Sequence, residues 1–93
     1  MSELSLIKVT KAEPRGGYRL WLSFSDDSVG EMDFSDLVSR DGSMVQPLQD
    51  QSYFARVFLE MGTPTWPNGF DLAPHALHSD MKKLGLLKRK LPA

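Results

Sequence analysis

Hydrophobic and polar positions alternate most regularly between Tyr18 and Phe24, where Tyr18, Leu20, Leu22 and Phe24 share one face and Arg19, Trp21 and Ser23 the other. Strict alternation sends successive side chains to opposite sides of a strand, so this stretch predicts a strand with one buried face. Leu4 to Ala12 alternates less strictly, with Ile7 and Val9 opposed to Lys8 and Thr10, and predicts a strand before it. Glu13-Pro14-Arg15-Gly16-Gly17 supplies the turn between the two. Ser25-Asp26-Asp27-Ser28 has the length of a hairpin turn, and Val29 to Phe34 returns as a third strand. The first third of the chain therefore predicts an antiparallel meander.

The middle of the chain is patterned in shorter pieces. Ser35 to Val38 predicts a single helical turn with Ser35 as its cap, ended by Arg40-Asp41-Gly42-Ser43. Asp50 is placed to cap one to two turns that include Phe54, and Pro47-Leu48 leads into them. Arg56 to Met61 alternates as a strand, Gly62-Thr63-Pro64 reads as a turn, and Thr65-Trp66 as a last short strand. Trp66-Pro67-Asn68-Gly69-Phe70-Asp71-Leu72 then concentrates turn chemistry in a few residues. A residue before proline is biased to extended backbone, proline presets a turn, and Asn and Gly readily accept positive φ. Asp71 is placed to cap the helix that follows, with Pro74 tolerated in its first turn.

Beyond Asp71 the pattern predicts a short helix over Leu72 to His78 and a second from Met81, capped by Ser79. Met81, Leu84, Leu87 and Leu91 fall on one side of that second helix, with Lys82, Lys83, Arg89 and Lys90 on the others. Gly85 in its middle costs about 1 kcal/mol relative to alanine, so the helix requires a surface to pack on. The expected architecture is a single small α+β domain, an antiparallel sheet of four or five short strands with one to three short helices. Residues 1–79 form the compact domain, and residues 80–93 a basic amphipathic C-terminal helix or tail.

Charge sharpens this division. All twelve acidic residues and six of the eleven bases lie within residues 1–81, while the last twelve residues carry Lys82, Lys83, Lys88, Arg89 and Lys90 and no acid. Body and tail are thus of opposite sign, which suits contact with nucleic acid, an acidic partner, or the body itself. With no cysteine, disulfides, thiolate nucleophiles and cysteine zinc sites are excluded. The first residues include Glu3 and no long apolar run, so a cytoplasmic protein with no membrane contact is expected.

Reactive chemistry has little to stand on. His75 and His78 lie three apart with Asp71 and Asp80 nearby, but two histidines without a third clustered strong ligand are a poor metal site, and no cofactor or metal is expected. Asp33, Asp36, Asp71 and Glu60 have no spacing that separates acid–base catalysts from turn and cap carboxylates. No serine lies in a Gly-x-Ser-x-Gly elbow. Gly16-Gly17 precedes a strand and lacks the spacing of a phosphate-binding loop. Trp21, Tyr53, Trp66 and Phe70 would make an aromatic platform if they were not first needed for a core. No catalytic constellation is visible, and an enzyme is not expected.

One ordered set of motifs carries more information. Tyr18-Arg19-Leu20 with Phe24-Ser25-Asp26, Met32-Asp33-Phe34-Ser35-Asp36-Leu37, Pro47-Leu48, Tyr53-Phe54-Ala55-Arg56-Val57 and, above all, Trp66-Pro67-Asn68-Gly69-Phe70-Asp71-Leu72 resemble the small prokaryotic domain-of-unknown-function family 2442 (DUF 2442) from about Ile7 to Leu77. The resemblance implies a compact α+β domain without an established activity. Such domains occur alone, joined to a helix-turn-helix segment, or encoded beside a second small protein in a toxin–antitoxin-like pair. Two departures stand out: Asp27-Ser28 occupies the place of a common Asp-Gly turn, and the basic tail extends past the usual domain end. The resulting expectation is a protein–protein interaction module in a regulatory setting, antitoxin-like or adaptor, whose partner is another protein or a second copy of the chain. Trp66, Pro67, Asn68, Phe70, Leu84 and Leu87 are its candidate contact residues. The alternative is a nucleic-acid-binding regulator using Lys82, Lys83, Lys88, Arg89 and Lys90.

Overall fold

In a computed structural model that describes residues 7–89, three strands form the expected meander: β1 (Val9–Pro14), β2 (Arg19–Phe24) and β3 (Ser28–Asp33). A fourth strand, β6 (Lys88–Arg89), completes an antiparallel sheet of order β1-β2-β3-β6. Between β3 and β6 the chain forms α1 (Ser35–Val38), a 3-10 turn (Gln46–Gln49), α2 (Gln51–Phe54), the hairpin β4 (Phe58–Glu60) and β5 (Thr63–Thr65), and α3 (Pro74–Lys83). The fold is α+β. The part of the predicted first strand before Ile7, and Lys90 and Leu91 of the predicted tail helix, lie outside the described residues.

The sheet has one buried face because of where its apolar residues fall. Leu20, Leu22 and Phe24 of β2 are fully buried, and Trp66, Phe54, Leu48, Leu77 and Met81 belong to the same core. Polar and charged residues dominate the opposite face, where Trp21 is half-buried and the Arg15 guanidinium lies 5.6 Å from its ring centroid. A bulge in β1 sets the register: Val9 pairs with Phe24 but Lys11 with Ser23, so Thr10 is the extra residue. That one-residue slip lets Val9 and Ala12, three apart, both meet the core, which a plain alternation forbids.

Turns follow their local chemistry. Asp50 caps α2, its carboxylate accepting the Ser52 N–H at 2.9 Å, as expected. Ser35 does not cap α1; it is the first helical residue, and the Asp33 carboxylate takes its N–H at 2.7 Å. The β4–β5 turn is Met61-Gly62, not Gly62-Thr63-Pro64, and both its residues have positive φ. Pro64 then sits within β5, opposite Leu59, in a two-stranded sheet where both strands are edges.

The C-terminal third differs most from expectation. Asp71 does not cap a helix; it bridges to Thr65 and prolongs the β5 return. Ala73 is the cap residue and Pro74 the first helical residue, where its missing N–H has no helical partner to lose. From there α3 runs unbroken through Ser79 and Asp80, because Leu77 and Met81, one turn apart, both reach the core while the polar pair faces solvent. Gly85 ends the helix instead of weakening its middle. At φ +72° it donates to the Lys82 carbonyl at 3.1 Å and Leu86 donates to the Met81 carbonyl at 2.9 Å, the two bonds of a Schellman motif. The predicted tail helix is therefore replaced, as far as Arg89, by an extended segment that joins the sheet.

Gly30 makes that docking possible. A methyl group at its position would lie 2.3 Å from the Leu86 carbonyl oxygen and 3.0 Å from the Met81 methyl. Lacking one, β3 accepts both α3 and the segment after it.

Candidate functional site

The Trp66–Phe70 corner is built from bonds to its own chain. Trp66 exchanges backbone bonds with both ends of the turn, accepting from Gly69 N–H and donating to the Phe70 carbonyl, each at 2.8 Å. Gly69 has φ +92°, and the Asn68 side chain accepts the Phe70 N–H and donates to the Met44 carbonyl. The Trp66 indole is fully buried and donates to the Phe54 carbonyl at 2.8 Å. Its ring packs between Phe54 and Phe70, with centroids 5.6 and 5.8 Å away. Trp66 is thus unavailable to a partner, contrary to its assignment as a contact residue, because a large apolar ring in a small domain is worth most inside. Pro67 stays exposed, while Asn68 and Phe70 are half-buried in internal bonding and packing.

Of the concave surfaces beside α3 among the described residues, two differ in sign. On one side Lys82 from the last turn of α3 meets Lys88 and Arg89 of β6, together with Asp26, His78 and Leu87, around a cleft of about 250 Å³. β6 reaches this place because Lys88 pairs with Val29 and Arg89 with Ser28. The Asp26 carboxylate is fully engaged: one oxygen accepts the Ser28 hydroxyl at 2.6 Å and its N–H at 3.1 Å, the other faces His78 Nε2 at 2.9 Å. Partial burial works against ionisation, but the Ser28 bonds and then His78 outweigh it and hold the Asp26 carboxyl below its ordinary range. An ionised carboxylate only accepts, so Nε2 carries the hydrogen in that contact. The His78 ring is also held edge-on to Phe24, with centroids 5.1 Å apart. Among the described residues no carboxylate lies within ion-pairing distance of Lys82, Lys88 or Arg89.

On the other side of α3 a groove of about 350 Å³ runs between the helix and the β3–α1 junction. Its floor includes the buried Phe34 and Leu77, and its walls Leu37, Leu72 and Leu84, the last 63% exposed. Asp33, Asp36 and Asp80 stand on its rim with one base, Arg40. The Ser35 hydroxyl and N–H, bonding to Asp33, keep that carboxyl below its usual range and therefore charged. β6 pairs only with Ser28 and Val29, so among the described residues the Glu31–Asp33 end of β3, paired with β2 on one edge, has no strand on its other edge.

The structure redistributes the expected residues. Leu84 and Leu87, expected on one stripe, are separated, Leu84 lining the acidic groove and Leu87 the basic cleft. Lys82, Lys88 and Arg89 converge, Lys83 is exposed but does not line the cleft, and Lys90 lies outside the described residues. Of the four carboxylates considered for catalysis, Asp33 and Asp36 share the groove, while Asp71 and Glu60 do not line it. Among the described residues no three potential metal ligands cluster, around His75 and His78 or elsewhere. Sequence reasoning missed Asp26 and Ser28 in the cleft and Leu37, Leu72 and Leu77 in the groove. The available signal was Gly30, a glycine inside a strand pattern, which marks a close approach by another segment.

A small α+β domain with an internally bonded Trp-Pro-Asn-Gly corner is what the fold defines. The chain belongs to the DUF2442 family, described as a protein of unknown function, whose model matches residues 9–81. No curated protein and no solved structure matches the chain. Among the described residues no helix is long and apolar enough to cross a membrane.

Proposed function

We propose that this protein acts by binding rather than by catalysis, as a regulatory interaction module that takes a basic, apolar-anchored segment of another protein into the groove beside α3. The observation that carries this reading is the coincidence of Leu84, a leucine left largely in water, with half-buried Leu37 and Leu72 and three rim carboxylates. Apolar side chains that stay exposed beside a concavity are the usual anchors of an interface, and the net acidic rim selects a partner with Lys or Arg flanking its apolar residues. The volume accommodates one or two anchoring side chains, the scale on which most interface energy is concentrated. An antitoxin-like or adaptor role is the regulatory form of this reading.

The test is affinity capture of the tagged full chain from its native lysate after nuclease treatment, with Leu84→Ser and Lys82→Gln compared with the original. One protein retained by the original and by Lys82→Gln but lost from Leu84→Ser supports the groove. Retention by Leu84→Ser, or recovery abolished by nuclease, overturns it. A second reading, nucleic-acid binding, is favoured by the convergence of Lys82, Lys88 and Arg89, and the nuclease arm reports on it.

A further inference from the structure

We infer that the basic cleft on the opposite side of α3 is a discrete site for a phosphate monoester. Three cations from two separate elements, Lys82 of α3 and Lys88 and Arg89 of β6, border one cavity. Asp26, the one carboxylate among the described residues of its lining, bonds Ser28 and His78 and is not ion-paired with any of the three cations, so three positive charges stand against one negative. A phosphate monoester presents three terminal oxygens in a tetrahedral arrangement and up to two negative charges to ammonium and guanidinium donors, against the two coplanar oxygens and single charge of a carboxylate. At about 250 Å³ the cavity falls below the roughly 300–1,000 Å³ of pockets that enclose drug-sized ligands, so it suits a compact anionic group. Leu87 offers an apolar wall for the carbon next to the ester oxygen.

This site is a product of tertiary structure. Lys82 and the β6 cations are brought together by the Gly85 turn and by the absence of a side chain at Gly30, which admits Leu86 against β3. Among the described residues Lys83, the neighbouring base, does not line the cavity, so the site gathers three cations at one point, and the oligonucleotide probe separates it from the nucleic-acid reading.

The experiment is a titration of the full-length protein at constant ionic strength, followed by backbone amide and histidine ring NMR. Its probes are inorganic phosphate, O-phosphoserine, a nucleoside 5′-monophosphate and a short oligonucleotide, with chloride as the control anion. The expected result is saturable shifts centred on Ser28, His78, Lys88 and Arg89 with the phosphate probes. Lys82→Gln and Arg89→Gln should each weaken binding roughly tenfold, the loss of one charge-assisted contact. A stronger response to O-phosphoserine assigns the phosphate to a modified side chain, and a stronger response to the nucleotide assigns it to a small metabolite. Both variants are solvent-exposed, and an unchanged thermal melt separates lost binding from lost folding. Shifts that stay linear to about 50 mM phosphate and are no larger than those chloride gives at the same ionic strength overturn the site. So does binding by the oligonucleotide alone.

Discussion

The two sides of α3 are made by the same helix and the same sheet, yet one is basic and hydrogen-bonded while the other is acidic and apolar. On the cleft side, position is enforced by specific polar contacts: Asp26 ties Ser28 to His78, and His78 leans on Phe24. On the groove side, Leu77 is buried as floor and Leu84 is left in water as wall. A net charge of only −1 conceals this segregation. One ten-residue helix lies between a basic and an acidic surface, and the proposal that they bind separately requires that each can be altered without the other.

The largest effects come from residues that hold the common frame. Trp66→Ala removes a fully buried indole and its bond to the Phe54 carbonyl, and should cost about 3–5 kcal/mol, a large share of what so small a domain has. Chemical denaturation should show the loss, and binding on both sides should fail together. Met81→Ala removes a fully buried side chain from beneath α3 and should cost about 2–5 kcal/mol, again affecting both surfaces.

Gly30→Ala separates them. The added methyl meets the Leu86 carbonyl, so the segment carrying Lys88 and Arg89 must shift, at a cost of about 1–3 kcal/mol in a denaturant titration. Amide shifts should change more across β6 and the cleft than at Leu37 and Leu72. An equal change at both would show that α3 moves as one block with the tail.

Acid sharpens the comparison from the charge side. Asp26 is held below its ordinary value in the folded protein, so its contribution is complete above the unfolded carboxylate value of about 3.9 and is lost as pH falls through the lowered folded value. Asp33, Asp50 and Glu13 act in the same direction. Thermal melts should therefore drop from pH 5 towards pH 2, and Asp26→Asn should drop less than the original chain. The smallest effects on stability belong to Leu84→Ser and Lys82→Gln, each within about 0.5 kcal/mol by thermal melt, although each should abolish or weaken binding on its own side.

Local chemistry explains which parts of this were legible beforehand. β2 and β3 follow from alternation, and the Asp50 cap and the Trp66–Gly69 turn from residue type, because all depend on near neighbours in the chain. Three features depended on distant ones. Ser79-Asp80 reads as a break until Leu77 and Met81 are seen to reach the same core. Gly85 reads as a weak point inside a helix until Leu86 is found against Gly30. The Thr10 bulge reverses the parity of β1, and only the pairing with β2 reveals it. Trp66 carried the opposite error: its concentration with Pro67 and Phe70 suggested a contact surface, but the core claims it. The candidate sites were legible as residues, in Lys82, Lys88, Arg89 and Leu84, and not as places.

The decisive measurement is the amide spectrum of the full chain bound to the protein recovered by capture, recorded with and without saturating phosphate. Independent surfaces require that the partner perturb Leu37, Leu72 and Leu84, that phosphate perturb Ser28, Lys88 and Arg89, and that both sets appear together in the ternary sample. Displacement of the partner by phosphate, or partner-induced shifts centred on the cleft, would contradict the division of α3 into two binding sides.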